Sequence, residues 1–163
     1  MAYVAEFAAL IGLASLFVLP IGPVPVTLQV LVIAFCGLFL GSRAALVAVA
    51  LYLLAGCVGV PVFAGGKAGF GVLLGPSGGY LIGFLSLAYF SGKARDKSFF
   101  VALLILFFAV VSDHLFGIAG LCLTLHKTVQ QAFFMDLVFL PGDIAKIFLA
   151  LLFWRMTRRR LSV

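Results

Sequence analysis

Asp143 and Lys146 stand three residues apart in the stretch Pro141-Gly-Asp-Ile-Ala-Lys146. On a helix opening near Pro141, that spacing puts a carboxylate and an ammonium on one face of the first turn, so a single surface offers both an acceptor and a donor. Asp113, in Ser112-Asp-His114, is a third charge set within an apolar run. Charges in such surroundings need a partner or a purpose, because even lenient insertion scales put Asp or Lys at the centre of a membrane helix at about +2.5 to +3.5 kcal/mol. Two chemistries fit the Asp143–Lys146 pair. One is an intrahelical ion pair whose carboxylate is favoured by the helix dipole; the other is the polar floor of a ligand pocket. A lysine near a helix N-terminus opposes the dipole, and a self-contained pair gives the neighbouring glycine-rich loop no role, so the pocket is the stronger reading. Asp113 reads equally well as pocket polarity or as an outer-edge residue that reaches water or caps a turn.

The elements that must position these groups follow from composition. Of 163 residues, 65% are apolar or aromatic and only 10% are charged, with a mean hydropathy of +1.31, outside the range of soluble domains. A spanning helix needs roughly 20 apolar residues, which leaves room for six spans in one domain over residues 1–163. The fold class expected is therefore an all-α polytopic bundle of six transmembrane helices. Apolar runs fall near Tyr3–Leu19, Val26–Leu40, Arg43–Val60, Gly78–Phe90, Phe99–Gly120 and Gly142–Met156, several of them short enough to require tilt or extension by flanking turns. The net charge of +6 reads as topology rather than nucleic-acid binding. With both termini cytoplasmic, Arg43, Lys93, Arg95, Lys97, Arg155, Arg158, Arg159 and Arg160 face inward, Lys67 and Lys127 face outward, and Lys146 sits in the sixth run, as the positive-inside rule requires. The N-terminal run carries Glu6 and no basic leader, and reads as a retained first helix.

That orientation puts Asp143, Lys146 and two unusual connections on one side. Pro20-Ile-Gly-Pro-Val-Pro25 holds three prolines in six residues and is expected to be a stiff, extended excursion without a normal backbone ladder. The connection from Pro61 to Gly79 is rich in glycine, with Lys67 its one charge. A free linker of this composition would expose Phe63, Phe70, Val72, Leu73 and Leu74 to water, so a loop folded against protein or lining a cavity is expected. An outward-facing pocket follows.

Other motifs are weaker. Gly66-Lys67 lacks the following Ser or Thr and the upstream glycine of a phosphate-binding loop, so no ATP hydrolysis is expected from this chain alone. Gly69, Gly71 and Gly75 have the wrong spacing for a dinucleotide fingerprint. Ser77, in Gly75-Pro-Ser-Gly78, reads as the N-cap of the following helix in preference to a protease nucleophile, since His114 and His126 both look peripheral. Cys36, Cys57 and Cys122 lack disulfide or metal spacing, and neither a metal nor a cofactor is expected. In the first run, Ala5 and Ala9, with Ala8 and Gly12 on a neighbouring stripe, allow close helix approach, either within the bundle or to a partner.

Four segments in order resemble one family. Pro23-Val-Pro-Val-Thr-Leu-Gln29, Gly59-Val-Pro-Val-Phe-Ala-Gly-Gly66, Leu74-Gly-Pro-Ser-Gly-Gly-Tyr-Leu-Ile-Gly83 and Pro141-Gly-Asp-Ile-Ala-Lys146 together resemble the BioY family, the biotin-binding S components of energy-coupling factor (ECF) transporters. The resemblance implies a six-helix S-component fold in a bacterial cell membrane, capture of biotin from outside, and work with a transmembrane coupling subunit and two ATP-binding cassette ATPases. It assigns Asp143 and Lys146 to the ligand, turns Ala5 and Ala9 toward the coupling subunit, and closes the first and third loops over the site. Biotin suits the inventory: Asp143 can accept from ureido N–H groups, and Lys146 can serve the ureido oxygen or the carboxylate. Thr27, Gln29 and Asp113 add polarity, Phe63, Phe70 and Tyr80 are candidate apolar walls, and Gly65 and Gly66 allow close backbone approach. Ser77 stands where the family pattern has threonine, which keeps the hydroxyl. The chain has no asparagine, so any family amide contact must come from elsewhere. A stand-alone facilitator for biotin or a related small molecule is the alternative.

Overall fold

The computed structural model describes residues 2–161, with side chains through Arg158. Arg159 and Arg160, part of the expected inward charge, lie outside the described side chains. The elements in chain order are α1 (Ala2–Ala14), β1 (Val18–Leu19), β2 (Val26–Thr27), α2 (Gln29–Leu40), α3 (Ser42–Cys57), a 3-10 turn (Phe70–Val72), α4 (Gly78–Lys93), α5 (Phe99–Leu125), α6 (Val129–Asp136) and α7 (Leu140–Leu161).

The first apolar run is not one helix. It stops at Ala14, where Ser15 Oγ donates to Gly12 O at 2.6 Å, and the chain then forms a two-residue antiparallel hairpin pairing Val18 with Thr27 and Leu19 with Val26. The Pro20–Pro25 excursion is thus the tip of a hairpin. Its prolines sit between the paired residues, where no ladder donor is needed. Gly41 then turns α2 into α3 in a single residue at φ 81°, a left-handed conformation that favours glycine.

α4 and α5 pack most extensively, because glycines bring their backbones together. Gly79 and Gly83 on α4 face Phe116, Gly120 and Asp113 on α5, and an ideal Cβ on Gly79 would stand 2.2 Å from the carbonyl oxygen of Phe116. This is the small-residue packing that membrane helices use in place of a hydrophobic drive. α5 has 27 residues, a length of about 40 Å, and is the one described helix that is long and apolar enough to cross a membrane by itself; α6 and α7 meet that test jointly, bent by 50°. α1, α2 and α3 are apolar but shorter, since loops and turns take residues that the apolar runs had included. Phe100, Leu104, Phe108 and Leu123 on α5 are exposed, an apolar face suited to lipid.

The two ends of the bundle differ. At one end Arg95 O accepts from Trp154 Nε1 and Arg158 Nη1, and Arg158 pairs with Asp96 at 3.3 Å. At the other, the hairpin and the long loop meet the start of α7 around a cavity.

Candidate ligand-binding site

The cavity has a volume of about 370 Å3, within the usual span of roughly 300–1,000 Å3 for small-molecule sites. One wall is the hairpin and the start of α2, with Pro23, Val24, Pro25, Val26, Thr27, Gln29 and Val30. The long loop supplies Phe63, Ala64, Lys67, Ala68, Gly71, Val72, Gly75, Pro76 and Ser77; α4 supplies Tyr80, Leu81 and Phe84. Asp113, Phe139, Asp143 and Lys146 complete the lining. A mostly apolar concavity with a few convergent polar groups is the usual form of a site for an amphiphilic small molecule.

The long loop is packed, as its composition requires. Phe63 is fully buried, its ring edge-on to Tyr52 with centroids 5.7 Å apart. Backbone bonds from Gly65 N to Ser15 O (3.2 Å) and from Gly69 N to Gly56 O (2.8 Å) fasten the loop to the ends of α1 and α3. Phe63 N also donates to Lys67 O at 2.9 Å, closing a tight turn that holds Lys67 at the cavity. Phe70 and Leu74 instead point outward, both more than 60% exposed, and Gly65, Gly66 and Phe70 lie off the cavity lining. The loop buries Phe63, half-buries Val72 and Leu73, and leaves Phe70 and Leu74 exposed.

Polar groups converge from five elements. Gln29 is buried; it donates from Nε2 to Tyr52 Oη at 2.7 Å and accepts from Thr27 Oγ1 at 3.0 Å. Lys146 Nζ donates to Asp143 Oδ1 at 2.7 Å, so the i, i+3 pair forms and still lines the cavity. Asp113 sits mid-way along α5, not at an edge; it is 2% exposed and its Oδ1 has no hydrogen-bond partner, which removes the reading as a water-reaching residue or a turn cap. A buried acceptor without a donor is costly unless something supplies one.

Several expectations change. His114 is not peripheral: it is buried, with Nδ1 2.7 Å from Asp136 Oδ1 and Nε2 3.3 Å from Asp143 Oδ2. Asp136 Oδ1 also accepts from Tyr80 Oη at 2.7 Å. His126 is exposed and closes α5 at φ 50°. Ser77 occupies the N-cap position of α4 but makes no capping bond, because its backbone is already helical (φ −81°, ψ −12°) and a capping side chain needs an extended one. It lines the cavity instead.

Asp136, His114 and Lys67 escaped the sequence reading. Asp136 lies in Phe133-Phe134-Met135-Asp136-Leu137-Val138, a charge in an apolar stretch between the fifth and sixth runs. A signal was present: Thr128 and Gln131 form a capping box, the S/T-x-x-E/Q pattern that opens a helix, and with α6 recognised Asp136 becomes a helical charge needing a partner. Ala5 and Ala9 are exposed on α1, whereas Ala8 is buried and Gly12 packs on Val62 of the long loop, so the two small-residue stripes part, one inward and one outward.

A family model described as the BioY family matches residues 1–163. The probable biotin transporter BioY of Bacillus subtilis is 34% identical over 154 residues, covering 90% of this chain and 83% of that one. The biotin transporter BioY of Rhizobium etli is 32% identical over 167 residues, covering 93% and 88%. The match to the biotin transporter BioY of Thermotoga maritima is 45% identical but shorter, spanning about half of each chain (56% and 54%). Among solved structures, the S-component for biotin from an ECF-type ABC transporter superposes with a TM-score of 0.89 at 31% identity, over 97% of this chain and 89% of that one.

Proposed function

This chain belongs to the BioY family, and from that premise we propose that it is the biotin-binding S component of an ECF-type uptake transporter. The observation that carries the reading is the Asp143–Lys146 pair lining the floor of a mostly apolar cavity. Biotin pairs a ureido head, donor and acceptor together, with an apolar thiophane and chain. Asp143 accepts from the ureido N–H groups, and the charge makes those bonds stronger than neutral ones. Tyr80, Phe63 and Phe84 surround the apolar body, with Gln29, Thr27 and Asp113 at its polar edges. Gly65, Gly66 and Phe70, which lie off the lining, serve the fold of the loop over the ligand.

In this reading the chain is one domain in a bacterial cell membrane, its six spans built from short helices extended by turns, with both termini on the cytoplasmic side. The arginines gathered around Trp154 and Arg95 support that orientation, and the cavity then opens outward. A coupling subunit packs on Ala5 and Ala9, and two ATPases drive the tilting of the whole S component that releases ligand inside. The chain performs no covalent chemistry.

Titration calorimetry of the purified chain with biotin tests binding, and uptake into liposomes tests the division of labour. Biotin accumulation is expected only when the coupling subunit and ATPases are co-reconstituted. Accumulation by the chain alone overturns the dependence and makes it a facilitator.

A further inference from the structure

The cavity floor is held by residues that do not line it. His114 on α5 and Asp136 on α6 are both buried and absent from the lining, yet they join the ligand-facing groups in one chain. Tyr80 Oη donates to Asp136 Oδ1 at 2.7 Å, the same oxygen lies 2.7 Å from His114 Nδ1, and Lys146 Nζ donates to Asp143 Oδ1 at 2.7 Å; between them His114 Nε2 lies 3.3 Å from Asp143 Oδ2, a close polar contact in which Nε2 makes no hydrogen bond. Four helices meet through five side chains.

We propose that His114 and Asp136 are positioning residues for ligand recognition, fixing the plane of the Asp143 carboxylate so that its remaining lone pairs meet the ureido N–H groups. This rests on the reading of the chain as a biotin-binding component. A carboxylate has about four lone-pair directions on its two oxygens. Lys146 engages Oδ1 and His114 faces Oδ2, so rotation of the group is restrained at both ends while directions toward the cavity stay open. An imidazole suits the task because its two nitrogens point apart, one to α6 and one to α7. Asp136 anchors the ring from behind, as carboxylates orient working histidines elsewhere. Tyr80, a cavity wall, is set by the same anchor, so α6 influences the site without touching it.

The arrangement separates the two nitrogens chemically. Asn at 114 places its amide near the Nδ1 position and keeps the link to Asp136; Gln reaches the Nε2 position and keeps the link to Asp143. With biotin as the titrant and detergent-purified chain, His114→Asn is expected to bind about tenfold more weakly, the scale of coupling between side chains in close contact, while melting near wild type. His114→Gln is expected to hold affinity within about twofold, since a polar group still stands beside Asp143 Oδ2, at a lower melting temperature. Asp136→Asn, isosteric and still an acceptor for Tyr80, is expected to weaken binding without altering the cavity lining. In the Asp143→Asn background, His114→Asn is expected to cause no further loss, since it acts through Asp143. Wild-type affinity in His114→Asn and Asp136→Asn, or fully additive losses in the double variant, overturns the proposal. Those results with biotin still bound by wild type and weakened by Asp143→Asn leave the function standing; a wild-type chain that does not bind biotin removes the function itself.

Discussion

The ring of Phe63 occupies the space in which a side chain at Gly56 would stand: an ideal Cβ there lies 2.2 Å from Phe63 Cζ. The long loop is therefore docked on α3 through the absence of a side chain, and a fully buried ring has nowhere to retreat. Gly56→Ala is expected to destabilise the chain by about 1–3 kcal/mol, the usual scale of overpacking, and to weaken biotin binding as Phe63 shifts at the cavity wall. Melting temperature and calorimetric affinity should fall together. A loss of stability with affinity intact would separate the loop's docking from the site.

Asp143→Asn and Lys146→Ala test the floor directly. Each removes a charge-assisted bond from a buried site, and each is expected to weaken biotin binding by about 1–3 kcal/mol. Because the two side chains bond each other at 2.7 Å, their losses should be sub-additive in the double variant. Near-wild-type titrations on both single variants would take the pair out of the pocket.

The floor was legible from sequence because Asp143 and Lys146 break an apolar run at helical spacing, and one turn of helix is local information. The proline-rich excursion of Pro20–Pro25 was legible as a break, though not as a hairpin, since the pairing of Val18 with Thr27 depends on residues beyond either side of the prolines. His114 was misread because its partners, Asp136 and Asp143, are 22 and 29 positions away; nothing near it in the chain says that it is buried. The outward turn of Phe70 was likewise invisible, as composition says that a loop must pack but not which of its apolar residues do the packing.

Tyr52→Phe probes support behind the lining. Tyr52 Oη accepts from Gln29 Nε2 at 2.7 Å, and the phenylalanine keeps the edge-on contact with Phe63 while leaving a buried amide without its acceptor. A cost of about 1–3 kcal/mol in stability is expected for that unmet donor. Gln29→Leu in the same chain removes the stranded group, so a double variant that recovers stability but not biotin affinity is the outcome that assigns Gln29 to the ligand.

Lys67 reads the orientation of the ligand. It lines the cavity on a turn closed by the Phe63–Lys67 backbone bond, whereas Lys146 is already engaged by Asp143. If the ureido head lies at Asp143, the free carboxylate extends toward the loop, and Lys67→Gln is expected to weaken biotin by up to about 1 kcal/mol, the scale of an exposed ion pair, while leaving the affinity for biotin amide unchanged. Equal losses for acid and amide would instead assign the carboxylate to Lys146.

Ala5 and Ala9 are exposed on α1, on a stripe beside the buried Ala8 and Gly12, and small side chains there let another helix come close enough for backbone contact. Replacing either with a bulky residue adds volume to the outer face and none to the bundle. Ala5→Trp and Ala9→Trp are therefore expected to leave biotin affinity and melting temperature near wild type while abolishing ATP-driven uptake in liposomes that contain the coupling subunit and ATPases. Co-purification of those subunits with the chain should fail in parallel. Uptake at the wild-type rate would move the coupling interface to another helix, and loss of binding in the isolated chain would return the stripe to internal packing.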